Sequence, residues 1–154
     1  MFALLIIKKY ICMIINTLKM IHTIHSLRVR YAETDSMKYV YYGNYATYLE
    51  VARVELFRSL GIPYSEIEAR GIWLPVSDFQ IKYIKPGLYD ELLEIHTFIK
   101  EIPGVKLKFE YEIFNQKEEK ISTASTTLFF LDAEKNKIIK CPQFLLDIIE
   151  KNWQ

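Results

Sequence analysis

Apolar positions along this chain change period in a way that marks its elements. Ser26 to Glu33 alternates Leu27, Val29 and Tyr31 against Arg28 and Arg30, the pattern of a strand with one wet face. From Gly43 to Leu60 the step lengthens. Tyr45, Tyr48, Leu49, Ala52, Leu56 and Leu60 recur every three or four residues, which predicts a helix of about 17 residues and 26 Å. Gly43 or Asn44 can start it, and Gly61 followed by Pro63 can stop it. A short helical turn is expected over Ser65 to Ala69. The period then returns to two, and Leu74–Ile84, Glu91–Glu101, Val105–Asn115 and Ile121–Leu131 read as four long strands. Pro103-Gly104 and Gln116-Lys117-Glu118-Glu119 supply tight connections, so the strands are expected to run antiparallel. Pro142 to Asn152 closes the chain with Phe144, Leu145, Ile148 and Ile149 at helical steps. One strand, one long helix and four more strands make an α+β plan with a five-stranded antiparallel sheet. A single long helix covers one face of such a sheet, so a homo-oligomer is expected, either homodimer or homotetramer.

Residues 1–20, MFALLIIKKYICMIINTLKM, behave differently. Lys8 and Lys9 interrupt the apolar run near its middle, where a spanning helix bears charge at about 2.5–3.5 kcal/mol per residue. A secretory signal would carry its charge ahead of the run and end in small residues. Three readings stay open: an upstream extension with Met20 as the true start, a weak membrane-surface anchor, or an ordinary extra element. The domain proper is expected over 21–154.

Composition narrows the function. With 154 residues, 51% hydrophobic and 25% charged, this is one domain's worth of globular chain. Twenty basic against nineteen acidic residues leave no surplus of positive charge to hold nucleic acid. Eleven Tyr and nine Phe offer apolar surface for a sheet and for the walls of a pocket. Cys12 and Cys141 with His22, His25 and His96 have no metal-ligand spacing, and they read as thiols in a reducing, cytoplasmic setting. His96 sits in an alternating strand and reads as a packed or solvent-facing histidine. Glu50–Arg53 and Glu55–Arg58 are i,i+3 pairs expected to be surface charge.

Tyr31-x-x-x-Asp35, Val40-Tyr41-Tyr42-Gly43-Asn44-Tyr45, Glu50 and Ala52-Arg53 together resemble the hotdog-fold acyl-CoA thioesterases of the 4-hydroxybenzoyl-CoA thioesterase and YbgC type. Tyr83-x-x-Pro86-x-x-Tyr89-Asp90 is similar to a second block of that family, and the resemblance spans roughly Ile21 to Pro142. It implies an antiparallel sheet wrapped around one long central helix. It also implies Asp35 as general base or nucleophile, and a backbone N–H at Tyr42 or Gly43 as the donor to the thioester oxygen. Tyr31 would orient the carboxylate or merely pack. The physical chemistry agrees. A thiolate leaves readily, so a base on one side and donors for the developing oxyanion on the other suffice, and a helix start supplies free N–H groups.

Where the family has glycine three residues after the aspartate, this chain has Lys38, which strains a left-handed loop or reaches toward phosphate. Lys38, Asn44, Tyr45, Lys82 and Lys85 are candidate substrate contacts. The reaction calls for no metal and no cofactor. The expected activity is hydrolysis of fatty or aromatic acyl-CoA; the alternatives are an acyl carrier protein thioesterase or a non-catalytic acyl-CoA-binding or scaffold subunit. Hotdog dehydratases rely on a histidine, and none lies between Asp35 and Leu60.

Overall fold

The computed structural model describes residues 19–153, so the readings offered for the apolar N-terminal stretch, and Cys12 within it, lie outside the described residues. Among the described residues no helix is long and apolar enough to cross a membrane. The elements are β1 (Ile21–Arg28), a 3₁₀ turn (Tyr31–Glu33), α1 (Asn44–Ser59), α2 (Tyr64–Ala69), β2 (Ile72–Trp73) and β3 (Val76–Tyr83). They continue as β4 (Leu92–Ile99), β5 (Lys106–Asn115), β6 (Lys120–Asp132), β7 (Lys137–Ile139) and α3 (Gln143–Lys151).

Every strand pair is antiparallel, and the long strands lie in the order β1-β4-β5-β6-β3. Short strands β2 and β7 extend the sheet along the last residues of β6, which raises the expected five strands to seven. Both are too short for a period of two to show. The inner face carries Leu93, Ile95 and Ile99 of β4 and Leu107, Phe109, Tyr111 and Ile113 of β5, all fully buried. Against it α1 lays Tyr45, Tyr48, Leu49, Ala52, Leu56 and Phe57, and Phe57 meets Phe109 edge-to-face at 5.9 Å. Each such side chain stabilises the fold by about 1.5–3 kcal/mol. Gly61, at φ +86°, turns the chain out of α1 where a side chain would be strained.

Two expectations are corrected. The first strand is Ile21–Arg28 and not Ser26–Glu33. Its inner-face positions pair Ile21, Thr23, His25 and Leu27 with Ile99, Thr97, Ile95 and Leu93, while apolar Ile24 faces outward. Polar residues inside and an isoleucine outside hide the alternation. The chain leaves the sheet after Arg28, and Arg30 and Glu33 then close the 3₁₀ turn through their own hydrogen bonds. The second correction concerns Arg53, which is only 7% exposed and has no ion pair with Glu50; Glu55 and Arg58 do pair at the surface.

The inner face is covered unevenly. Over β3 the helix reaches only as far as Tyr45, which meets Tyr83 edge-on at 5.3 Å, and Phe79 and Tyr83 remain 40% and 46% exposed. Among the described residues β3 pairs only with β6, so its other edge is free.

Candidate active site

The loop between the 3₁₀ turn and α1 is built around Asp35. Thr34 and Val40 form an isolated antiparallel bridge, and the Asp35 N–H donates to the Tyr39 carbonyl at 2.8 Å. Inside this closed turn the Asp35 Oδ1 accepts from the N–H of Met37 at 2.9 Å and of Tyr39 at 3.3 Å. One carboxylate oxygen is thereby fixed by the loop itself. The other has no protein donor among the described residues. The Lys38 N–H donates to the Asp35 carbonyl at 2.9 Å, and Lys38 sits at φ +64°. The loop therefore keeps a left-handed residue at this position although the residue is lysine, at a cost of about 1–2 kcal/mol.

Two amides follow where helix α1 begins. Gly43 is its N-cap, and neither the Tyr42 nor the Gly43 N–H has an acceptor among the described residues. Free N–H groups at the first turn of a helix carry the positive end of its dipole. A Cβ on Gly43 would lie 2.8 Å from the exposed Tyr41 ring, which would have to shift. The Tyr42 carbonyl accepts from the Tyr83 hydroxyl at 3.1 Å, which ties the helix start to β3.

Asp35 and Tyr42 line one cleft of about 350 Å³ together with Met37, Tyr39, Tyr45 and Tyr83. The Tyr45 hydroxyl accepts from the Gly87 N–H at 3.2 Å, and the Gly87 carbonyl accepts from the Val40 N–H at 2.8 Å. These bonds fix the cleft floor to the segment after β3. Burial raises the Tyr45 phenol and also the Tyr83 phenol, so both stay protonated donors near neutral pH.

Of the residues singled out in the sequence, Asp35, Tyr42 and Tyr45 line this cleft, and Gly43 follows Tyr42 as the N-cap of α1 without lining it. Lys85 lines it too, with its ammonium 2.7 Å from Glu119. Tyr31 does not: it is 78% exposed and packs edge-on against Tyr89 at 5.6 Å, which favours the packing reading. Asn44 turns away and donates from Nδ2 to the Glu33 carbonyl at 2.8 Å. Lys82 is on the outer face of β3, in a separate groove of about 450 Å³ with Gln80, Lys100, Lys108, Glu110 and Glu112. His96 is likewise on the outer face, within 3.1 Å of His22. Burial pushes the Cys141 thiol up to about 12, so it holds its proton.

Sequence reasoning missed Glu33. Its carboxylate is buried and accepts from the Tyr48 hydroxyl at 2.7 Å, from the Arg30 N–H at 2.8 Å and from Arg30 Nε at 2.8 Å. Burial works to raise its pKa, but the hydrogen bonds from Arg30 and Tyr48 outweigh it, and the carboxyl is held below its ordinary value. The same bond, with burial, raises the Tyr48 phenol. A signal was present: Arg30 and Glu33 stand at capping-box spacing, and Tyr48 on a buried helix face needs a partner for its hydroxyl.

Comparison with known proteins bears on this geometry. The profile of the thioesterase superfamily matches residues 37–122. The chain is 40% identical over 114 residues to the putative acyl-CoA thioesterase YneP of Bacillus subtilis, covering 74% of this chain and 83% of that protein. It is 28% identical over 120 residues to the acyl-CoA thioester hydrolase YbgC of Escherichia coli O157:H7, covering 78% and 90%. Among solved structures, the DHNA-CoA thioesterase of Staphylococcus aureus superposes with a TM-score of 0.78 at 36% identity, covering 84% of this chain and 87% of that one.

Proposed function

Because this chain belongs to the thioesterase superfamily, we propose that it hydrolyses the thioester of acyl-CoA with Asp35 as general base. The observation that carries the reading is the pairing, in one cleft, of a carboxylate with one oxygen fixed and the other open, and a helix start whose N–H groups have no acceptor. A water held by the open Asp35 oxygen gives up a proton to it while its oxygen bonds to the thioester carbon. The carbonyl oxygen gains charge in reach of the Tyr42 or Gly43 N–H, a donor of the kind worth about 2.7–4 kcal/mol in the transition state. Collapse breaks the C–S bond, and the departing thiolate takes the proton back from Asp35. The products are the free acid and coenzyme A.

The rings of Tyr39, Tyr42, Tyr45 and Tyr83 support an aromatic acyl group over a long fatty chain, since rings stack at little entropic cost. We assign the working form to a homodimer joined through the free edge of β3, where a second copy would cover Phe79 and Tyr83. CoA esters as substrate keep the enzyme cytoplasmic.

The test is thiol release from short-chain, long-chain and aromatic acyl-CoA esters, run beside Asp35→Ala. Turnover that is fastest on aromatic esters and falls at least about a hundredfold in the variant is expected. Equal turnover in Asp35→Ala overturns the base. Binding without hydrolysis overturns the enzyme in favour of a binding subunit.

A further inference from the structure

Glu33 is not in the cleft, yet it bonds to Tyr41, Asn44 and Tyr48 around the start of α1. Its carbonyl accepts from the Tyr41 N–H at 2.9 Å and from Asn44 Nδ2 at 2.8 Å, and its carboxylate accepts from the Tyr48 hydroxyl at 2.7 Å. Asn44 and Tyr48 stand on successive turns of α1. Glu33 thus grips the helix at two points one turn apart, while two residues further along the chain Asp35 begins its closed turn. The Arg30 side chain and N–H hold the same carboxylate from the other side, so the charge is paired where it is buried. Tyr41 bridges the same two sides through its backbone alone, its N–H donating to the Glu33 carbonyl and its carbonyl accepting from the Asn44 N–H, whereas Glu33 adds a side-chain bond one turn further along the helix.

We propose that Glu33 is the positioning residue that sets the distance between the Asp35 carboxylate and the N–H groups at the start of α1. The proposal rests on Asp35 being the base. Without the Glu33–Tyr48 bond the Asp35 turn stays closed, because its own hydrogen bonds lie within residues 34–40. What loosens is the seating of that turn against the helix. Base and oxyanion donors then drift relative to each other, and a misplacement of about 1 Å suffices for a hundredfold loss.

The experiment compares Glu33→Gln, Tyr48→Phe and the double variant with the wild-type enzyme and with Asp35→Asn, on whichever acyl-CoA ester the wild type turns over. Melting temperature is measured for each. Tyr48→Phe removes one hydroxyl from a buried ring and leaves the packing in place, so it carries the test if Glu33→Gln fails to fold. Each single variant is expected to lose about tenfold in kcat. KM should stay within about twofold, since the cleft walls are untouched. The double variant should be no slower than the slower single one, because both substitutions cut the same bond.

Unchanged kcat in folded Tyr48→Phe overturns the proposal, and so do losses that multiply in the double variant. A rise in KM at constant kcat also overturns it, by making the bond part of the binding surface. Wild-type turnover in Asp35→Asn shows instead that the base reading has failed, and the positioning role falls with it. Loss in Asp35→Asn with full activity in the other variants removes Glu33 alone.

Discussion

The cleft at the start of α1 and the groove on the outer face of β3, β5 and β6 are of similar size, about 350 and 450 Å³, yet they differ in what their polar groups already do. In the outer groove the charges satisfy one another. Glu110 takes Lys100 at 2.5 Å and Lys108 at 3.3 Å, and the Lys100 hydrogen bond is the largest cause holding its carboxyl below the ordinary range. In the cleft the aspartate has an open oxygen, the Tyr42 amide lacks an acceptor, and the walls are tyrosine rings. Chemistry needs groups held in place but not yet paired. The larger hollow, with its lysines, looks more like a place for phosphate, but Lys100 and Lys108 are spent on Glu110.

The contrast can be broken most directly by removing a charge from each hollow. Asp35→Ala should lower kcat at least about a hundredfold, while Lys82→Ala in the outer groove should leave kcat/KM within about twofold. Comparable losses in both, measured by thiol release, would erase the distinction. Next in size, Gly43→Ala places a methyl where the Tyr41 ring lies 2.8 Å away. The ring or the helix start must move, and a loss of about tenfold in kcat is expected from the displaced N–H donors.

Acid sharpens the comparison in a different way. Glu33 and Glu110 both have folded pKa values below the ordinary 4.5. A depressed carboxyl stabilises the fold above its unfolded value and loses that contribution as pH falls through the folded one. Melting temperature should therefore drop as pH falls below about 4.5, and Glu110→Gln should flatten part of that drop with turnover at neutral pH unchanged. The smallest effect belongs to Lys38→Gly. Relief of the left-handed strain is worth about 1–2 kcal/mol, but glycine loses more freedom on folding, so a rise of only a few degrees in melting temperature is expected. An unchanged KM for acyl-CoA would remove Lys38 from the substrate contacts. A fall in melting temperature would mean that the lysine side chain stabilises the loop.

Much of this was legible before any coordinates. Spacing of three and four marked α1 within a residue, because its apolar face is continuous from Tyr45 to Phe57. Period two marked β4, β5 and β6 for the same reason. Lys82, named as a candidate substrate contact, lies between Ile81 and Tyr83, which face inward, so it faces out, away from the cleft. The first strand was read too far along the chain, at Ser26–Glu33 in place of Ile21–Arg28, because Thr23 and His25 occupy inner positions at the sheet edge. Arg53 stayed hidden because an i,i+3 spacing with Glu50 suits a surface pair equally well, and nothing local says which face of a helix a long side chain will choose. The Glu33 hub joins residues 15 apart through side chains, a relation no periodicity reports.

The strand order has a consequence for how the chain is made. Ile21 must wait for Ile99, and Val76 for Leu128, before either strand finds its neighbour. At about 5–20 residues per second of synthesis, the apolar face of α1 emerges from the ribosome seconds before the β4 and β5 surfaces that will cover it. During that interval the nascent chain exposes Leu49, Leu56 and Phe57 beside an unpaired β1. The β4–β5–β6–β7 run forms from neighbours in sequence, so it is the natural first scaffold, and the helix and first strand close onto it last.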